Sequence, residues 1–113
     1  MLFRSGELIL LNDGSGDNTL EVITDLARRD PRIRVIDQKN SGVSVSRNHL
    51  MDEARGEWIL FLDHDDQFLP DASTELRGLI NSFPDAECFV FPCCLKDENG
   101  GVVQHIAPVF RDF

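Results

Sequence analysis

The ten residues EWILFLDHDD, Glu57 to Asp66, decide how this chain is read. From Trp58 to Leu62 every side chain is apolar, the pattern of a strand covered on both faces. Three carboxylates follow at once, Asp63, Asp65 and Asp66. Two unit charges about 4 Å apart repel by ~1 kcal/mol in bulk water and ~4 kcal/mol near a protein surface. A fold that gathers these groups at the end of a buried strand therefore calls for a cation.

Working outward, the same motif of apolar run and polar loop recurs towards the N-terminus. Glu7-Leu8-Ile9-Leu10-Leu11 predicts a strand that stops at the turn residues Asn12-Asp13-Gly14-Ser15-Gly16. Asp17-Asn18-Thr19 offers a helix cap, and Leu20, Ile23, Leu26 and Ala27 follow at helical spacing until Arg28-Arg29 and Pro31. Ile33 to Ile36 predicts the next strand, Gln38 to Gly42 a loop, and Val43 to Arg55 a second helix closed by Gly56. After the acidic loop, Pro70 predicts the first position of a third helix carrying Leu76, Leu79 and Ile80. Cys88 to Phe91 predicts a strand, and Asp97-Glu98-Asn99-Gly100-Gly101 a hairpin turn returning through Val102 to Ile106.

Strands alternating with helices imply an α/β fold: three α/β/α layers around a mainly parallel sheet with right-handed crossovers. Ligands bind such sheets beyond the carboxyl ends of the strands. That rim is where the loops at Asp13, at Gln38 to Gly42 and at Asp63 to Asp66 belong.

Length and composition bound the rest. At 113 residues and 42% hydrophobic content, the chain reads as one domain over 1–113. No stretch approaches the ~20 apolar residues of a membrane span, and Met1-Leu2-Phe3-Arg4, followed by polar Ser5-Gly6-Glu7, does not read as a signal peptide. A net charge of −9 argues against a nucleic-acid backbone as the main partner. Cys88, Cys93 and Cys94 form neither an even set nor a zinc spacing, so they read as reduced thiols in a reducing, cytoplasmic compartment.

Asp63-His64-Asp65 is a D-x-D, whose two carboxylates point to one side of an extended segment and can address one ion. Hard oxygen ligands of this kind suit magnesium or manganese. A solvated turn with Asp66 capping the next segment is the plain alternative. Asp13 ends its strand similarly, with Gly14 giving backbone freedom; an Asx-turn is its alternative. Asn40, Gly42 and Ser44 precede the second helix, where polar groups reach a ribose or phosphate. Arg47 balances either a phosphate or the carboxylates, or forms an ordinary surface ion pair. His49 and His105 have no metal spacing and read as structural or exposed.

Taken together these segments resemble the nucleotide-binding half of the GT-A glycosyltransferases of the family 2 type. ELILLNDGSGDNTLEVI looks like that family's D-G-S-x-D strand and loop. The later order N-x-G-x-S-x-x-R-N, A-x-G-E, apolar strand and D-x-D-D is similar over about residues 7 to 75. The resemblance implies a Rossmann-like GT-A fold and a nucleotide-diphosphate sugar as donor. It places Asp13 on the base, Asn40, Gly42 and Arg47 around the donor, Asp63 near the ribose and metal, and Asp65 on a Mn2+ or Mg2+ ion. It further implies inversion at the anomeric carbon and an acceptor hydroxyl; whether the acceptor is a glycan, lipid or protein, and whether a complete parent sits in the cytoplasm or at the inner face of a membrane, are left open by the sequence.

Two departures come with it. The family's opening strand and its P-x-Y/F-N-like loop would precede Glu7 and lie at the sheet's centre, between the first and third strands read here. The present chain is thus expected to be truncated and to need cover from a second copy or another chain. The catalytic base and the acceptor half are expected beyond Phe113. The competing readings are a haloacid-dehalogenase-like phosphatase, disfavoured by Gln67 where a hydroxylic residue is usual; a non-catalytic α/β binding module; and a receiver-like domain lacking its late Lys.

Overall fold

The computed structural model describes residues 6–106 of the chain. It begins with a βαβ unit: β1 Leu8–Asp13, α1 Thr19–Arg29 and β2 Ile33–Gln38. The two strands pair in parallel in one unbroken register, from Leu8 opposite Ile33 to Asp13 opposite Gln38. α1 packs on both strands, with Leu20, Ile23 and Ala27 half-buried at helical spacing. Asp17 organises its entry, accepting the Thr19 backbone N–H at 3.0 Å and the Thr19 hydroxyl. Arg28 and Arg29 occupy the last turn, where cations suit the carbonyl end of the helix dipole. Asp30 then holds the backbone N–H and guanidinium of Arg32, a pairing that lowers its carboxyl to about 2.

α2 runs Val43–Glu53 from Gly42, whose φ of 87° lies outside the range most residues adopt. It ends on Ala54 rather than Gly56. β2 explains the early stop. Arg34 donates to the Glu53 carbonyl at 2.9 Å and to its carboxylate, and also reaches Glu7 at 3.1 Å. Glu7 in turn accepts the Arg55 backbone N–H at 2.6 Å. Three elements are tied at one clamp.

The run from Glu57 to Leu62 departs from its predicted form. It joins no sheet among the described residues, where β1 and β2 make a two-stranded sheet and nothing else pairs with them. Ile59, Leu60, Phe61 and Leu62 are left between 38% and 49% exposed. The reason is physical: a strand is held by a neighbour's backbone as well as by its side chains, and no described strand lies beside this one. Among the described residues no apolar side chain is fully buried, and the best-covered side chains are polar, Asn12 and Ser46.

The chain divides into two compact units, Met1–Ser73 and Thr74–Phe113. α3 spans Ala72–Ser82, with Pro70 in the preceding turn rather than at the first helical position. In the second unit β3 Cys93–Lys96 pairs antiparallel with β4 Val102–Ile106. The strand predicted at Cys88–Phe91 therefore begins later, at Cys93. The predicted turn forms: Gly100 has φ 81°, and the Asp97 carboxylate accepts the Asn99 and Gly101 N–H groups at 2.9 and 2.7 Å. The register slips by one residue after Leu95, where Lys96 faces Val102 and Leu95 faces Gln104. Cys88, Cys93 and Cys94 are free thiols.

Candidate functional site

The polar residues cluster at the carboxyl ends of β1 and β2. Asn12 and Asp37 face each other in register, and Asn12 donates to Asp37 at 2.8 Å while its carbonyl accepts the Ser15 N–H at 3.3 Å. The local turn role expected of Asp13 thus falls to Asn12. Asp13 reaches across instead. Its Oδ1 accepts the Gln38 side-chain amide at 2.8 Å and the Ser41 N–H at 2.8 Å, and its Oδ2 accepts the Gly42 N–H at 3.0 Å. These donors, the Gln38 side chain foremost and then the Ser41 amide, lower the Asp13 pKa from its ordinary 3.8.

Gly14 has a role the sequence did not suggest. A Cβ at this position would stand 2.7 Å from the Asn40 backbone nitrogen, and its φ is 74°. The space it leaves is taken by the second loop rather than kept open for a ligand. Asn40, Ser41 and Gly42 consequently sit against the end of β1. Below them Gln38 also donates to Ser46 Oγ at 3.1 Å, and His49 Nδ1 lies 2.8 Å from Gln38 Oε1.

At the acidic loop, the cation is a side chain. Arg47 grips Asp63 through both carboxylate oxygens, at 3.0 and 2.9 Å, and its guanidinium lies over the Phe61 ring, 5.6 Å from the centroid. Both partners are about half exposed, so the pair is worth roughly 0–1 kcal/mol and is readily exchanged. The Asp66 amide closes a turn on the Asp63 carbonyl at 3.0 Å, and Asp65 is exposed at that turn. Asp13, Asn40 and Gly42 are therefore brought together directly, and Arg47 with Asp63. The His105 side chain lies outside the described residues.

Asp63 and Asp65 can be tested against a divalent ion by their chemistry. Among the described residues no group of three or more His, Cys, Asp or Glu side chains could hold a metal unaided. Magnesium-like ions, however, commonly take only one or two carboxylates and complete their shell with substrate phosphates and water. Two adjacent carboxylates fit that mode, provided that a phosphate ligand arrives and Arg47 yields Asp63.

Sequence reasoning placed Gln38 in the rim loop and read His49 as structural or exposed, but it did not connect them with Ser46 or with Asp13. A usable signal existed: Gly42, Ser46 and His49 fall on one stripe of α2 at helical spacing, beside the end of β2.

An α/β unit with its polar loops gathered past the strand ends belongs to the class of parallel-sheet proteins that bind ligands on that rim. Comparison with known proteins narrows the class. The model of the family Glycosyl transferase family 2 matches residues 5–111, and the chain belongs to that family. It is 32% identical over 107 residues to the GalNAc(5)-diNAcBac-PP-undecaprenol beta-1,3-glucosyltransferase of Campylobacter jejuni, covering 93% of this chain and 34% of that protein. It is 31% identical over 106 residues to EpsH of Bacillus subtilis (strain 168), covering 94% of this chain and 31% of EpsH. Over 66 residues it is 44% identical to the chondroitin synthase of Pasteurella multocida, covering 58% of this chain and 7% of the synthase. No solved structure gives a significant match. The chain spans about a third of the length of the relatives it matches most fully. Membership carries with it the GT-A, Rossmann-like α/β fold, here with a small parallel sheet, and removes the phosphatase and receiver alternatives. No described helix is long and apolar enough to cross a membrane.

Proposed function

We propose that this chain is the donor-binding part of a metal-dependent, inverting glycosyltransferase that moves a sugar from a nucleotide-diphosphate sugar to an acceptor hydroxyl. The observation that carries the reading is the family match together with one set of loops: Asp13 holding the Ser41 and Gly42 amides, and Arg47 holding Asp63. In this reading Asp13 accepts an N–H of the nucleotide base. Asn40 and Gly42 border the ribose and phosphates, and Asp63 serves the ribose and the ion.

Asp65, with Asp63, would hold Mn2+ or Mg2+, which supplies positive charge to the diphosphate as it leaves. Arg47 exchanges Asp63 for a phosphate oxygen, where its planar fork makes two donors available. Because the Arg47–Asp63 pair is exposed and weak, the exchange costs little. None of the residues described is assigned the part of general base or acceptor site. The free thiols of Cys88, Cys93 and Cys94 suit a cytoplasmic setting.

Calorimetric titration with UDP, GDP, CDP and dTDP, each with and without manganese, tests the reading. Manganese-dependent binding of at least one diphosphate, lost in Asp65→Asn, is the expected result. Indifference to all four in a folded sample would sink it and leave a non-catalytic module.

A further inference from the structure

Beneath Asp13 lies a chain of polar side chains to which the proposed reaction gives no part, and hydrogen-bond logic assigns every proton in it. The Asp13 carboxylate only accepts, so the Gln38 atom 2.8 Å away must be the amide nitrogen donating to it. Its second hydrogen points to Ser46 Oγ at 3.1 Å. Ser46 Oγ lies 2.9 Å from the Gly42 carbonyl and its hydroxyl also helps to lower the Asp13 pKa, so with only acceptors on those sides it takes the Gln38 hydrogen on a lone pair. The orientation of the Gln38 amide is thereby settled: its oxygen faces His49 Nδ1 at 2.8 Å. A carbonyl oxygen cannot donate, so Nδ1 of His49 carries a hydrogen.

We infer that Gln38 and His49 are positioning residues for Asp13, with His49 donating from Nδ1 to Gln38 and Gln38 donating to the carboxylate, so that α2 fixes which lone pairs Asp13 presents to a ligand. Resting on the reading of Asp13 as the nucleotide-base acceptor, this adds a supporting layer that reaches into a helix otherwise remote from the base. Asp13 Oδ1 is occupied by two donors and Oδ2 by one. An ionised carboxylate has about four lone-pair sites, so with these donors and the Ser46 hydroxyl around it, little acceptor capacity remains, and it is least taken up on Oδ2. Without Gln38 the carboxylate gains a free position and loses the contact that orients it. Ser46, 8% exposed, anchors the relay from below and ties it to the turn that supplies the Gly42 amide.

Two readouts test the inference, and the first needs neither ligand nor variant. Long-range proton–nitrogen NMR of the imidazoles should show His49 with a hydrogen on Nδ1. A bare Nδ1 would overturn the assignment, because Gln38 would then be facing the other way or unbound. The second readout is carboxyl-carbon titration of Asp13 beside calorimetry with the tightest binder among the four diphosphates. Gln38→Leu and His49→Ala should each raise the Asp13 midpoint towards 3.8 and weaken binding by about two- to tenfold. His49→Asn, which can place an amide N–H near the Nδ1 position, should restore most of both. If Gln38→Leu leaves the Asp13 midpoint unchanged, or Asn rescues no better than Ala, the positioning role is refuted. If the tautomer and titration results hold while no diphosphate binds, the relay stands and it is the donor reading of Asp13 that fails.

Discussion

Replacing Gly14 with alanine should both destabilise the first unit and disturb the rim, and the structure separates the causes. The φ of 74° at Gly14 costs a residue with a Cβ roughly 1–2 kcal/mol. The added Cβ would also stand 2.7 Å from the Asn40 backbone nitrogen, where no side-chain rotation can relieve it, so the second loop must move. Overpacking of that kind costs typically 1–3 kcal/mol, so the two together come to about 2–5 kcal/mol. Gly42→Ala has the unusual backbone, φ 87°, but open space around the new methyl, which predicts about 1–3 kcal/mol from conformation alone. Gly16→Ala meets nothing within 4 Å and has no positive φ, so it should lie within about 0.5 kcal/mol of the parent. Urea denaturation of the three variants gives the comparison. Hydrogen exchange of the Ser41 and Gly42 amides, which Asp13 accepts, should be faster in the Gly14 variant than in the parent. If Gly14→Ala proves no less stable than Gly16→Ala and leaves the exchange of those amides unchanged, the packing of the two loops described above is wrong.

Other consequences are more direct. Arg47→Ala should have opposite effects on two ligands: free manganese, followed by electron paramagnetic resonance, should bind tighter as Asp63 is released, while nucleoside diphosphate should bind more weakly. Acid should destabilise the fold through carboxylates whose pKa values are lowered by native contacts. Asp30 falls from 3.8 to about 2 beside Arg32, Glu7 falls below 4.5 chiefly through the Arg55 amide, and Asp13 falls below 3.8. Depressed carboxylates contribute fully above their unfolded values, so a circular-dichroism titration should be flat above about pH 5 and decline from there towards pH 2. Because no described apolar side chain is fully buried, the isolated chain should bind an apolar dye such as ANS at neutral pH; a dye-silent sample would mean that cover comes from a second copy, visible as a dimer in ultracentrifugation.

Much of the first unit was legible because its signals are local. The apolar run at Leu8 to Leu11 forms β1, although the strand continues through Asn12 and Asp13 before the chain turns at Gly14, and of the stripe Leu20, Ile23, Leu26 and Ala27 all but Leu26 are half-buried. The loops that meet at the rim could be named for the same reason. The apolar run Trp58 to Leu62 misled because composition reports that a segment seeks burial, whereas a strand also needs a neighbour, and none is described. The misplaced strand at Cys88 had a remedy in the sequence. Counting antiparallel partners back from the Asp97–Gly101 turn leads to Lys96, Leu95, Cys94 and Cys93, as the ladder has it. The contact between Gln38 and His49 was not legible because it depends on how β2 hands over to α2, which neither residue's own neighbourhood displays.

In the proposed function the acidic loop should hold a divalent ion only in company with a nucleoside diphosphate, next to the loop that Asp13 orders. Paramagnetic broadening of backbone amide signals by substoichiometric manganese measures this directly. With a bound diphosphate present, broadening should centre on Asp63 to Asp66 and extend to Ser41 and Gly42; without it, the same manganese should leave those signals largely sharp. Broadening centred elsewhere, for example on Asp97 and Glu98, or broadening of the acidic loop that ignores the diphosphate, would contradict the account.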